Sequence, residues 1–86
     1  MLKDELLPIG SIVSVGNQDI MICAYFKKNT KVKDEHFDYA CCLYPSGMSE
    51  NAILIKKEQI DVIKFIGFQD NRFVEFKHHL MEENEK

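Results

Sequence analysis

Long apolar runs, an excess of positive charge and clustered glycine are all scarce in this 86-residue sequence. No stretch approaches the ~18 consecutive apolar residues of a membrane helix. Met1-Leu2-Lys3-Asp4-Glu5 places an acidic pair where a signal peptide carries positive charge. The chain is therefore expected to be cytoplasmic and to make no membrane contact. Its 14 acidic and 11 basic residues leave a net charge of −3, the wrong sign for a protein whose main partner is nucleic acid. The four glycines stand apart at turns, so no glycine-rich loop can cradle a phosphate. Neither a nucleotide fingerprint, a paired-carboxylate motif nor a Ser/His/Asp order is present, and the reading is of a non-enzyme without a cofactor.

Cysteine is also sparse. Cys23, Cys41 and Cys42 are an odd number, no C-x-x-C spacing exists, and all three lie in strand-like apolar runs. The adjacent Cys41 and Cys42 point to opposite faces of a strand, so they cannot easily bridge each other or share a metal. They read as small packing residues that stay reduced, with neither a disulfide nor a metal expected. A nucleophilic role would need a neighbouring base, and the nearest histidine in sequence is His36, just outside the strand.

What is present is β-pattern followed by one helical segment. Residues 1–9 form a lead-in, with Pro8 restricting Leu7 to extended geometry. A strand starts at Ser11 with the β-branched Ile12, Val13 and Val15, and ends at the turn residues Gly16-Asn17-Gln18-Asp19. In the second strand, Ile20 to Phe26, alternation puts Ile20, Ile22, Ala24 and Phe26 on one face and Met21, Cys23 and Tyr25 on the other. Lys27 to His36 is a charged, projecting loop. Strands follow over Phe37–Tyr44, Ala52–Ile55 and Ile60–Ile66, with a helical turn or tight loop at Lys56–Gln59. Asp70 is a good N-cap, and Phe73, Phe76 and Leu80 then recur along one helical face.

The expected architecture is one domain over residues 1–86: a lead-in at 1–9, sheet at 10–68, and a helix at 70–83 with a frayed acidic tail. Its class is α+β, mainly β. About five short antiparallel strands form a strongly bent sheet, an SH3-like partial barrel, covered by the C-terminal helix. Leu7, Ile12, Ile22, Leu43, Ile63, Phe65 and Phe73 are expected to be buried.

Three clusters invite a functional reading. Glu75 with His79, and His78 with Glu82, are i,i+4 pairs. The adjacent histidines diverge by about 100° on a helix, however, so the four side chains cannot converge on a metal. Lys27, Lys28, Lys31 and Lys33, with Lys56 and Lys57, form a potential basic patch. They lack the interleaved aromatics of a single-strand binder and read as a solvated surface. Tyr44 and Phe68, aromatics beside turns, are the candidate anchors for a protein partner.

Three stretches also carry a resemblance: Leu6-Leu7-Pro8-Ile9-Gly10-Ser11-Ile12-Val13, Cys42-Leu43-Tyr44-Pro45-Ser46-Gly47, and Ile60-Asp61-Val62-Ile63-Lys64-Phe65-Ile66-Gly67-Phe68. In this order, with Ile20-Met21-Ile22 and Asp38-Tyr39 between them, they resemble the family of Gram-positive proteins called domain of unknown function 4176. The first hairpin departs from it, since relatives carry a turn richer in lysine and glycine, and so does the long lysine loop. Such proteins are typically encoded beside LXG-type toxins and small proteins of the type VII secretion system. The resemblance therefore implies an accessory that binds a secreted toxin or its small partner proteins, as a chaperone or targeting adaptor. Its alternative is an immunity protein that blocks the toxin domain, and nucleic-acid binding ranks third. It assigns no catalytic residue, and oligomeric state is not legible.

Overall fold

The computed structural model describes residues 6–26, 31–32 and 34–85, with only the backbone of Val32 and of residues 81–85. The expected Lys27–Lys33 patch therefore falls largely outside the described residues. So does the side chain of Glu82. The strands are β1 (Ile12–Val15), β2 (Gln18–Tyr25), β3 (Lys31–Val32), β4 (Glu35–His36), β5 (Tyr39–Leu43), β6 (Ile53–Ile55) and β7 (Val62–Phe65). A 3-10 turn, Lys57–Gln59, separates β6 from β7, and helix α1 spans Asn71–Glu85. Five strands form one antiparallel sheet in the order β6-β5-β2-β1-β7, while β3 and β4 pair as a separate small hairpin. The mainly β, α+β class with a C-terminal helix is thus as the sequence indicates. The ladder itself runs open from β6 to β7.

Local chemistry accounts for the element boundaries. Val15 pairs with Gln18, leaving the two-residue turn Gly16-Asn17, and Gly16 takes a φ of 61°. A positive φ at the first turn position is what a type II′ hairpin demands. Asp61 secures this turn by accepting the Gly16 N–H at 2.8 Å. At the helix start, Asp70 Oδ1 accepts the Phe73 N–H at 3.1 Å, the expected N-cap. No helix among the described residues is long and apolar enough to cross a membrane.

The core is one face of the sheet, built in cross-strand rows. Val13 lies opposite Ile20, which lies opposite Leu43. Ile22, Cys41 and Ile53 make a second row, and Tyr25, Tyr39 and Ile55 a third. Leu7 and Ile60, from outside the strands, close over these rows and are fully buried.

Two register shifts change the expected faces. The β2–β5 pairing skips Cys23, since Ile22 faces Cys41 and Ala24 faces Ala40. Simple alternation would send Tyr25 to the face opposite Ile22. The extra residue returns it to the core side, against Tyr39, and leaves Ala24 exposed. A second shift, between Ile12 and Val13, skips Lys64 in β7. Ile63 stays on the core side, whereas Phe65 pairs with Ile12 on the outer face and is 58% exposed. The expected burial of Phe65 is therefore corrected, and Ile12, Leu43, Ile63 and Phe73 are half-buried rather than buried.

The first and last family-like stretches meet at the start of β1. Pro8 to Ser11 is a turn closed by the Ser11 N–H on the Pro8 carbonyl at 3.1 Å, with Gly10 at a φ of 92°. Ser11 is fully buried, and its Oγ accepts the Gly67 N–H at 3.0 Å. A Cβ on Gly67 would lie 2.3 Å from the Ile9 carbonyl oxygen and 3.0 Å from the Ser11 nitrogen. Only glycine lets these two backbones touch. Gly67→Ala should therefore destabilise the fold by about 2–4 kcal/mol, as overpacking against backbone does. Ser11→Ala, which leaves the Gly67 N–H buried without its acceptor, should cost about 1–3 kcal/mol. Urea unfolding of both variants checks this, and a midpoint unchanged for Gly67→Ala would contradict the contact.

Candidate functional site

A cluster of exposed apolar side chains lies at the start of α1. Tyr25, returned to the core side by the bulge, has its ring stacked on Phe76 of α1 at a centroid distance of 5.4 Å. Ile9, at the tip of the Pro8–Ser11 turn, and Phe68, just past Gly67, flank the same space. Together with Phe73 they bound an open groove of about 420 Å³ with Tyr25 as its floor and Asp70 and Arg72 beside it. Phe68 is 76% exposed, Ile9 55% and Phe76 44%. The lining is mainly aromatic and aliphatic, with Asp70 and Arg72 as its charged members.

The polar groups at the groove are committed. Asp70 Oδ2 accepts from Arg72 Nε at 2.8 Å, while its Oδ1 caps the helix. The Arg72 guanidinium and the Phe73 N–H hold the Asp70 carboxyl below the usual carboxylate range. It stays ionised and paired with Arg72. Lys77 lies over the Phe73 ring, 5.6 Å from its centroid, and leaves the apolar lining open.

Next to the groove, two tyrosines grip the backbone of one residue, Leu7. The Leu7 N–H donates to the buried Tyr39 Oη at 3.1 Å, and the Tyr25 hydroxyl donates to the Leu7 carbonyl at 2.6 Å. Burial pushes the Tyr25 hydroxyl up to about 12, reinforced by Tyr39 beside it, and burial raises Tyr39 as well.

Of the two sequence-predicted contact residues, Phe68 belongs to this groove. Tyr44 is half exposed but follows the far end of β5 from Tyr39, and its N–H donates to the Asp19 carbonyl. The two anchors are therefore not parts of one surface. Ile9, Phe73 and Phe76 complete the groove but escape sequence reading. Their apolar spacing signals burial, and only Leu80 on that helical face is buried among the described residues.

The other sequence candidates separate. His78 and His79 are exposed, and no three His, Cys, Asp or Glu side chains among the described residues are grouped to hold a metal. Lys56 and Lys57 share a shallow hollow with Asp34, Glu35, Asp38 and Glu58, and the Lys57 N–H is bound to Asp38 at 2.7 Å. These lysines sit among carboxylates rather than in a basic patch. All three cysteines are thiols. Cys41 points into the core, where burial pushes its thiol up to about 12. Cys42, on the opposite face, has its Sγ 3.3 Å from that of Cys23. Sequence spacing gives no hint of this pair, because the bulge places it.

The tyrosine grip predicts an alkaline limit. A phenol whose pKa is raised on folding stabilises the native state fully below its unfolded value, near 10. That stability is lost as pH rises through about 12. Stability measured by denaturant titration should thus fall steeply above about pH 10, in step with phenolate absorbance. Tyr25→Phe should be less stable at neutral pH by about 1–2 kcal/mol, having lost the bond to Leu7, and should show a shallower alkaline decline. An identical alkaline profile in the variant would contradict the grip.

The family model described as a domain of unknown function matches residues 6–76, which takes in the Pro8–Ser11 turn, the sheet and the helix start. No curated protein and no solved structure matches. With the match covering most of its length, the chain belongs to the family DUF4176.

Proposed function

We propose that this protein is a non-catalytic binding module whose groove of Ile9, Phe68, Phe73 and Phe76 receives another protein. The observation that carries the reading is Phe68, an aromatic side chain 76% exposed beside other exposed apolar residues. Aromatic anchors at the centre of an apolar patch dominate protein-protein contacts, whereas a solvated surface has little use for them. Within the setting that the family resemblance implies, the partner is an LXG-type toxin or a small protein secreted with it. The module then acts in the cytoplasm as a chaperone or targeting adaptor before export through the type VII system.

Co-purification with separate halves of the toxin encoded nearby tests this. The adaptor reading expects binding to the helical N-terminal half. Binding to the C-terminal toxin half, with loss of protection on gene deletion, would make the protein an immunity factor instead. Strong weakening of nucleic-acid binding by salt would favour the third reading. Phe68→Ala should weaken partner binding on the order of thirtyfold, the effect of losing a hot-spot aromatic. It should leave folding stability within about 0.5 kcal/mol. Tyr44→Ala, remote from the groove, should bind the partner as the unaltered protein does, and calorimetric titration distinguishes the two variants. Unchanged affinity in Phe68→Ala would remove the groove from the interface.

A further inference from the structure

The outer face of the sheet holds a second feature, independent of the groove. Cys23 is the residue that the β2–β5 register skips, and a bulged residue is freer to move than one held in the ladder. Its thiol is partly exposed, while that of Cys42 on the neighbouring strand is nearly covered, at 5% exposure. The Cys23 Sγ lies 3.3 Å from the Cys42 Sγ and 3.5 Å from the Met21 carbonyl. A disulfide bond is about 2.0 Å long, so closure requires a movement of only about 1.3 Å. Cys41, next in sequence to Cys42, is directed into the core and fully buried.

We infer that Cys23 and Cys42 are a modification site at which a peroxide converts two thiols into a reversible cross-strand disulfide. Cys23, the accessible sulfur, reacts first. Its thiolate attacks one peroxide oxygen, the O–O bond breaks, and Cys23 becomes a sulfenic acid. The second oxygen leaves as hydroxide and takes up the proton that Cys23 released, forming water. The Cys42 sulfur then attacks the sulfenic sulfur. An S–S bond forms, the S–O bond breaks, and the departing hydroxide takes the Cys42 proton to give a second water. The sulfurs lose two electrons together and the peroxide gains two.

Burial and the neighbouring Cys42 both raise the Cys23 thiol above its ordinary value. Its thiolate is therefore scarcer than that of a free cysteine, and Cys23 reacts more slowly with peroxide. The bridge would tie β2 to β5 within their ladder, on the side of the Tyr25–Tyr39 pair away from the loop that carries β3 and β4. It also links chain positions 19 residues apart, which restricts the unfolded chain and raises stability.

Treating the reduced full-length protein with hydrogen peroxide tests the assignment. Thiols counted after unfolding should fall from three to one, and non-reducing peptide mapping should join Cys23 to Cys42. Dithiothreitol should restore all three thiols, and the bridged form should melt at a higher temperature than the reduced one. Cys41→Ser should form the same bridge. Cys42→Ser should instead retain oxygen on Cys23 with no intramolecular link. A bridge that includes Cys41, conversion of wild-type Cys23 to sulfinic acid without a bridge, or three surviving thiols after prolonged exposure to excess peroxide would each overturn the assignment. The wild-type map decides the question even where a serine variant fails to fold.

Discussion

The hold of Tyr25 and Tyr39 on the Leu7 backbone is the constraint on which most of the molecule depends. Leu7 caps the sheet from outside the strands, and its backbone would be a buried polar liability if it were not paired. Tyr39 supplies the acceptor for its N–H, and Tyr25 supplies the donor for its carbonyl. The rings that provide these hydroxyls are themselves packing surface, 6.0 Å apart at their centroids. Tyr25 also meets Phe76 of the helix. One pair of side chains thus joins the lead-in, the sheet and α1, and the groove above exists because Tyr25 supplies its floor.

The net acidic charge has a structural use. Asp38 holds the Lys57 N–H at the 3-10 turn, Asp61 holds the Gly16 N–H at the hairpin, and Asp70 holds the Phe73 N–H at the helix start. Each fastens a turn by a charge-assisted bond to backbone, a stronger kind than a neutral pair. Asp19 instead pairs with Lys64 at 2.8 Å. Lys64 is the residue skipped in β7, so the outer edge of the sheet combines a bulge with a lysine, two devices that deter pairing with another strand. Asp38, Asp61 and Asp70 are thus occupied with holding turns.

Local signals in the sequence were legible and non-local ones were not. The Asp70 cap, the turn at Gly16 and the alternation through Tyr39, Cys41 and Leu43 are set by neighbours within a few residues, and they appear as read except that the turn is shorter, with Gln18 and Asp19 already in β2. The skips at Cys23 and Lys64 leave no local mark, since each depends on how a partner strand presents its hydrogen bonds. Their effects extend beyond themselves: Tyr25 changes face, Phe65 moves outward, and Cys23 meets Cys42. The groove was half visible for a related reason. Phe68 stands out beside a turn, whereas Phe73 and Phe76 share the periodicity of buried residues and only the fold shows where the helix lifts from the sheet.

The bulge at Cys23 gives this part of the chain one residue that its ladder does not use. Without Cys23, Ile22, Ala24 and Tyr25 would face Cys41, Ala40 and Tyr39 in plain alternation, and Tyr25 would stay on the core side. The hold on Leu7 therefore depends on the pairing of Tyr25 with Tyr39 and not on the extra residue itself. What a chain without that residue would lose is the local bend and added twist that a bulge imposes on its strand.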